Sequence, residues 1–487
     1  MTVRNLNATR HAALVSQALP AAELVGGEDV PLASCTDRAD AVRPGDVFVA
    51  SDPAADNTQA AHDAVARGAA AVVSERFLPL FGTTQYVVHD AQAAYSSLCH
   101  TLLDHPTRQL NAIGIAGSHG KTSIALLLDS IFKASGRSAA TAANRFTRID
   151  GESVKLMKPT TAAGIADFAD EALACGCRHA VIELGEQTLR AKAAHAADFD
   201  VVCLSNLHAA AGDSDRSMHQ RRTAMASALE LLTPEGMAIL NADDPDSMRL
   251  MAEHEGPTLT YGVHHPADIT GMLVERHVNE QTFLLTIGDE TAAVRTKVVG
   301  EMHMANCLAA AAIAKVYGVS LTHIVAGIEK VHIVPGVMHR FDAGLGVSVF
   351  VDRGQGAVAR SAALAAARSV AHGDVLAVVD SDCMVTAKLA DRTIATRGLA
   401  NEYIVSEPVA RVLAAMEVSC PRQLRTIAEK LTGIALALAG AKEGDVVVLC
   451  GLECLAPRER RAAQGLSDAK LIETLLYEMA AELKKAA

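Results

Sequence analysis

The sequence contains no tryptophan, and aromatic residues make up only 3% of its 487 positions. That scarcity removes the stacking platforms on which single-stranded nucleic acids are held. Positive charge is also in deficit. The 44 Lys and Arg stand against 56 Asp and Glu, and a formal net charge of -12 repels a phosphate backbone. A nucleic-acid partner is therefore not expected. No apolar run approaches the ~20 residues needed to span a bilayer. The opening stretch is broken by polar residues such as "VRNLNATRH" and lacks an apolar core followed by a cleavage site. The 10 cysteines include a CxC at Cys175 and Cys177 and a wider pair at Cys450 and Cys454, but no paired CxxC units of zinc-site spacing. Unpaired thiols in a long chain suit a reducing compartment. The expectation is a soluble cytoplasmic protein with no membrane insertion.

What is abundant is core-forming material. Hydrophobic residues make up 50% of the chain and charged residues 21%, the balance of a globular protein. At roughly 100–200 residues per domain, the length predicts two to four domains. Residues 1–109 read as a small α/β unit, with strands in "VRPGDVFVA", "AAAVVSE" and "TQYVVHD" and helices in "AAHDAVAR" and "AQAAYSSLCHTLLDHP". From 110 to 335, apolar strands alternate with alanine-rich helices, the pattern of a parallel sheet covered on both faces. "HAVIEL", "DVVCLSNL" and "GMAILNADDP" are strands that run into polar residues. Ligands bind at the carboxyl ends of parallel strands, so those polar residues are site candidates. "VHIVPGVMHRF" reads as an interdomain linker, and residues 336–487 hold four more strands, "VSVFVD", "VLAVVD", "EYIVS" and "DVVVLC".

The stretch "NAIGIAGSHGKTSIALLL" combines a strand, a glycine-rich turn and a helix. Glycines at 114, 117 and 120 let the backbone turn tightly and aim its N–H groups at a phosphate. Lys121 supplies charge, and the hydroxyl of Thr122 can reach a magnesium ion. The strict GxxxxGK[ST] pattern asks for glycine at 115, where this chain has Ile115. The bland alternative is a glycine-rich turn with an exposed lysine. The flanking strand and helix favour phosphate binding.

"GIAGSHGKTS" resembles the phosphate loop of the Mur ligases, written GxTGTNGKT or, in one branch, GTHGKT. The resemblance extends over nearly the whole chain. "RPGDVFVA", "LDHPTRQLNAIGIAG", "ELLTPEGMAILNADDPDS" and "GEMHMANCLAAAAIAKVYGVS" are similar to the branch that adds the third residue to the cell-wall peptide on UDP-N-acetylmuramate. It implies an α/β fold of three domains: an N-terminal domain for the UDP-linked substrate, a central P-loop ATPase domain with a parallel sheet, and a Rossmann-like C-terminal domain that binds the amino acid. It also implies ATP and Mg²⁺ as cofactors, and an amide ligation in which a carboxylate is phosphorylated and then attacked by an amino group. Carried over residue by residue, the nucleotide site comprises Gly117, Ser118, His119, Gly120, Lys121, Thr122, Ser123, Asn241, Asp244, Asn306, Arg340 and Asp352. Lys121 and Glu183 are the catalytic candidates, and Thr122 and Glu183 the metal-holding ones. Asn206 and Asp243 match further family positions, and His303 stands where the family has an asparagine near the adenine.

Other positions depart from the family. In the register fixed by Asp213 and Met218, the lysine that becomes a carbamate and helps hold a second Mg²⁺ is replaced by Met225, and a histidine is replaced by Ala211. A thioether cannot be carbamylated and is a poor ligand for a hard cation. The third domain has "VDRGQGA" for VDYAHTP, "SEPV" for DNPR and "GLECL" for GKGHE. The first retains little of DGHDF around Asp56. Glu186, three residues after Glu183, is either a replacement ligand or an ordinary surface glutamate. Two readings follow. One is an ATP-dependent ligase joining an amino acid to a carboxylate acceptor, UDP-linked or otherwise, with altered substrates inside or outside peptidoglycan synthesis. The other is a weakened or inactive homologue that binds nucleotide or a precursor as a scaffold. The retained loop and strand-end acids favour the first.

Overall fold

The computed structural model describes residues 2–4, 13–52, 57–154, 159–207, 215–342, 346–354, 356–379, 389–395 and 432–450. The described residues fall into two compact units. The first lies within 1–208, 216–270 and 306–328, and the second within 209–215, 271–305 and 329–487. The helices in chain order are α1 (Val15–Ala18), α2 (Asn57–Ala66), α3 (Ala91–Leu102), α4 (Lys121–Ala134), α5 (Ala162–Ala174), α6 (Glu186–Arg190), α7 (Asp215–Ala226), α8 (Pro245–Glu253), α9 (Glu301–Val316), α10 (Leu321–Glu329) and α11 (Gly356–Arg368), followed by a further helix at 432–439. Among the described residues, no helix is long and apolar enough to cross a membrane.

The first unit carries two sheets. Strands β1 (Thr2–Arg4), β2 (Glu23–Val25), β3 (Ser34–Thr36), β4 (Val47–Val49), β5 (Ala71–Ser74) and β6 (Thr84–Val87) form one, in the order β1-β3-β4-β5-β6-β2. As expected from the sequence, α2 ends ahead of Gly68, which turns the chain at φ +94° into the buried strand β5. The other sheet is built on β7 (Asn111–Ala116), β8 (Ala139–Ala143), β9 (Phe146–Ile149), β10 (Glu152–Ser153), β11 (His179–Glu183), β12 (Phe199–Leu204), β13 (Leu232–Asn241) and β14 (Thr258–Gly262). Its order is β10-β9-β8-β11-β7-β12-β13-β14, continuing into the first residues of β15 (Ile269–His277). From β8 to β14 every pairing is parallel, and β9 and β10 are antiparallel additions at one edge. The central strands are buried on both faces, which explains why they read as continuous apolar runs.

Register places the strand ends together. Glu183 lies beside Ile115, and Leu204 beside both Ala116 and Leu240. Polar residues just beyond these positions therefore converge on the turn between β7 and α4. Behind that turn, α10 packs on α4 at a glycine: a Cβ on Gly327 would lie 2.4 Å from Ile131 Cα, and Ser130 Oγ donates to Gly327 O at 2.7 Å.

In the second unit, β16 (Glu280–Ile287) and β17 (Glu290–Thr296) form a hairpin turned by Gly288 at φ +58°. A separate sheet runs β18 (His339–Asp342), β19 (Ser348–Asp352), β22 (Val446–Cys450), β20 (Val375–Val379) and β21 (Arg392–Ala395), parallel except for β18 against β19. The expected strand "EYIVS" lies outside the described residues. "VHIVPGVMHRF", expected as a linker, ends in β18, so its last residues join the sheet that follows.

Two predictions follow from this packing. Gly327→Ala meets backbone atoms that cannot step aside, and the strain should cost about 1–3 kcal/mol in chemical denaturation. His100, on α3, has both ring nitrogens buried with no partner among the described residues. Burial first, and then nearby His105, pull its pKa down to about 3. The unfolded chain takes up this proton near pH 6.5 while the folded chain refuses it until about pH 3, so stability falls as pH drops through that window. His100→Leu should flatten the dependence by as much as about 1.4 kcal/mol per pH unit, measured by urea unfolding between pH 6.5 and 4.

Candidate nucleotide-phosphate site

The turn from β7 to α4 consists of Gly117, Ser118, His119 and Gly120, with Lys121 opening the helix. Gly117 adopts φ +124° and Gly120 φ +85°. Both also lack room for a side chain: a Cβ would lie 2.2 Å from Ser205 Oγ at the first and 2.3 Å from Asn306 Oδ1 at the second. Glycine is thus required twice over, by conformation and by close approach.

The two residues after β12 clamp the turn. Ser118 N donates to Asn206 O at 2.9 Å and His119 N to Asn206 Oδ1 at 3.2 Å. Asn206 Nδ2 returns a bond to His119 O at 3.2 Å, and Ser205 Oγ donates to the same carbonyl. The Ser118 hydroxyl is buried with no partner among the described residues. Lys121 Nζ reaches back across the turn to Gly117 O at 2.7 Å. Burial draws its pKa below the ordinary lysine range, and the charges of Glu183 and Glu186 oppose that shift.

Thr122 Oγ1 donates to Glu183 Oε2 at 2.8 Å, and the same oxygen accepts from Asn144 N at 2.9 Å. A hydroxyl and a carboxylate joined in this way, one turn from the phosphate cradle, are hard oxygen donors that fit a single divalent cation together with phosphate oxygens. Ser123 is buried at the next position of α4. Asn306, on α9, is 5% exposed and abuts Gly120. His303 lies one turn earlier on that helix, where burial lowers its pKa to about 4, so the ring is neutral at neutral pH.

Other expected site residues are engaged in holding backbone. Asn241 Nδ2 donates to Ser205 O at 3.2 Å, and Asn241 Oδ1 accepts from Asp243 N at 2.9 Å. Asp244 caps α8; its carboxylate accepts from Leu207 N at 2.6 Å, Ser247 Oγ at 2.8 Å and Asp246 N at 3.3 Å. Asp243 gathers the N–H groups of Val263, His264 and His265 and the His265 ring. Burial would raise its pKa, but these bonds outweigh it and the carboxyl sits below its usual range. Arg340 and Asp352 belong to the second unit. There Arg340 Nε lies 3.4 Å from Ser348 Oγ, and Asp352 accepts from Met338 N at 3.1 Å and Gly354 N at 2.8 Å. The first unit therefore brings together the loop, Glu183, Asn241, Asp244 and Asn306, while Arg340 and Asp352 are neighbours on a different sheet.

Met225 lies against the loop. Gly117 N donates to its sulfur at 3.3 Å, and the side chain is 2% exposed. Glu186, which the sequence leaves open between a metal ligand and a surface acid, is half-buried and doubly paired. Arg190 meets Oε1 at 2.8 Å and Arg221 meets Oε2 at 3.1 Å. Among the described residues, no three or more His, Cys, Asp or Glu side chains are grouped to hold a metal. The donors thus fit one cation at Thr122 and Glu183, and they do not fit a second at Met225. Sequence reasoning missed Ser205, Asn144 and Arg221. Asn144 contributes only its backbone N–H, which leaves no trace in residue type. The one signal for Arg221 was the paired arginines of "QRR".

Comparison with known proteins agrees with this geometry. The Mur ligase middle domain matches residues 115–314. The UDP-N-acetylmuramoyl-L-alanyl-D-glutamate–2,6-diaminopimelate ligase of Halalkalibacterium halodurans is 30% identical over 430 residues, covering 85% of this chain and 88% of its own. The ligase of the same name from Geobacillus kaustophilus is 28% identical over 417 residues, covering 80% and 83%. A solved structure of a ligase with that name superposes with a TM-score of 0.65 at 18% identity, over 91% of this chain and 93% of its own. Folylpolyglutamate synthase of Mycobacterium tuberculosis, solved with ADP and AMPPCP, gives a TM-score of 0.57 at 16% identity, over 76% and 94%, and shares the fold. The chain belongs to the Mur ligase family, with that family's α/β architecture.

The buried carboxylate of Asp244 makes a direct test of the site's framework. Asp244→Ala should lower stability by about 2–3 kcal/mol in chemical denaturation, because it removes a helix cap and strands a buried N–H. Asp244→Asn, which keeps one acceptor oxygen, should recover part of that loss.

Proposed function

We propose that the protein is an ATP-dependent ligase that forms an amide bond between an amino acid and a carboxylate acceptor. The observation that carries this reading is the convergence of Lys121, the Thr122–Glu183 pair and the glycine cradle at one end of a parallel sheet. Bound with its magnesium ion, ATP would supply the phosphoryl group that activates the carboxylate. The chain's own residues do the positioning. N–H groups from Gly120 to Thr122 and the positive end of α4 hold phosphate oxygens, Lys121 turns its ammonium from Gly117 O to the phosphate, and Thr122 and Glu183 hold the cation. Asn306 borders the nucleotide cleft beside Gly120, and Asn241 and Asp244 support it from below by fixing Ser205 and Leu207. Arg340 and Asp352 are kept as candidate nucleotide-contacting residues on the family resemblance alone.

The named relatives act on a UDP-linked muramoyl dipeptide and 2,6-diaminopimelate. A UDP-linked acceptor is accordingly the first to try, with the amine donor left broad because the third-domain motifs differ. We assign acceptor binding to residues 1–109, nucleotide binding to 110–335 and amino-acid binding to 336–487. A cytoplasmic location supplies the ATP. One observation favours a second reading, a nucleotide-binding scaffold with little turnover: a buried thioether at the position of a metal-holding carbamate.

Calorimetric titration of ATP with Mg²⁺ into the wild type and Lys121→Ala is the test. The expected result is binding to the wild type that weakens about 10²-fold in the variant, a loss of the size found when one charge-stabilising group is removed. ADP release that needs both an amino acid and an acceptor then supports the ligase. Binding without turnover across a panel of amino acids and UDP-linked acceptors supports the scaffold. No binding to the wild type overturns the ligase reading and leaves the scaffold only as a precursor-binding one.

A further inference from the structure

The N-terminal core encloses two thiols that take no part in the phosphate site. Cys35 is the middle residue of β3, and Cys99 lies among the buried residues of α3. Both are free and 0% exposed, and their sulfurs are 3.7 Å apart although 64 positions separate them in the chain. The core around them is apolar and includes Val47, Val73 and Leu98. As packing, each sulfur is a small apolar group that many residues could replace. What is particular here is that two of them touch across the sheet and the helix that covers it. A disulfide sets its sulfurs about 2 Å apart, so an approach of about 1.6 Å remains, of the size that side-chain rotation supplies.

We infer that Cys35 and Cys99 are a redox-sensitive pair that a peroxide closes to a disulfide, stapling α3 to β3. The inference goes beyond the ligase reading and does not depend on it. In the reduced protein the pair is shielded. Burial, and then the hydrogen bond and charge of Cys35, hold the Cys99 thiol well above its ordinary pKa, with a bond to Tyr95 one turn earlier opposing them. A protonated thiol is a poor nucleophile, so reaction waits for local opening of α3 from β3. The first thiolate then attacks a peroxide oxygen, the O–O bond breaks, and a sulfenic acid and water form. The second thiol attacks the sulfenic sulfur, the S–O bond breaks, and a second water leaves as the S–S bond forms. One peroxide is reduced to two waters, and two thiols are oxidised to one disulfide. The bond closes a loop that contains β4, α2, β5 and β6, so it restricts the opened state of most of that sheet.

The test is peptide mapping of the full chain after hydrogen peroxide at neutral pH, with the peroxide raised until the exposed Cys175 is oxidised. The expected product is a Cys35–Cys99 cross-linked peptide, lighter by two hydrogens than the two free peptides and released by dithiothreitol. Oxidised Cys175 beside unreacted Cys35 and Cys99 overturns the inference. So does a sulfinic acid at either position without a cross-link, or a disulfide from either to another cysteine. Amide hydrogen exchange across α3 should slow by at least about tenfold in the cross-linked protein relative to the same sample after dithiothreitol. Unchanged exchange overturns the staple. Cys99→Ser should abolish the cross-link. Since a hydroxyl in this dry core can compromise folding, the dithiothreitol reversal in the wild type gives a control that needs no variant.

Discussion

The phosphate turn is held by a reciprocal backbone clamp. Asn206 uses its carbonyl, its side-chain oxygen and its side-chain nitrogen on Ser118 and His119, and Ser205 adds a hydroxyl to the same His119 carbonyl. Four bonds from two adjacent residues fix a turn that has no regular ladder of its own. Further supports converge on those two residues. Asn241 and the Tyr261 hydroxyl both donate to Ser205 O, and Asp244 secures Leu207 immediately after. Catalysis by charge stabilisation depends on donors that are already aimed, and this scaffold aims them before any ligand arrives. The same packing explains the glycines, since a side chain at Gly117 would displace the clamp.

Much of this was legible in the sequence because it follows from local pattern. The apolar runs of β7, β11 and β12 mark buried parallel strands, and the polar residues after them mark the ligand end of the sheet. The antiparallel edge strands β9 and β10 and the β16–β17 hairpin were not read. They are short or half-exposed, and the edge pair carries no continuous apolar run. Side-chain duty was harder still to read. The "NADDP" carboxylates match nucleotide-site positions as a string of letters, yet in space they are spent largely on backbone N–H groups. The pairing of Glu186 with Arg221 spans thirty-five positions and no periodicity reveals it. Outside the described residues lie Asp56, Ala211, Asp213, the "SEPV" and "GLECL" segments and the expected strand in "EYIVS".

Met225 and Glu186 are both committed to neighbours, the one to the Gly117 N–H and the other to Arg190 and Arg221. An ionic ligand set requires carboxylates or carbamates left available to a metal. This chain places a soft, space-filling residue against the loop and, nearby, an acid paired with two guanidinium groups. The buried thioether covers the first N–H of the turn and accepts its hydrogen bond.

The contact between α10 and α4 has a mechanical consequence. With essentially no clearance between Gly327 and the Ile131 backbone, the far half of α4 resembles a beam gripped in a vice. Packed interfaces of this kind resist gradual deformation and shift between discrete arrangements if they move at all. A force applied at Lys121 is therefore not absorbed by sliding along that interface. Displacing the far half of α4 requires α10 to move with it at Gly327.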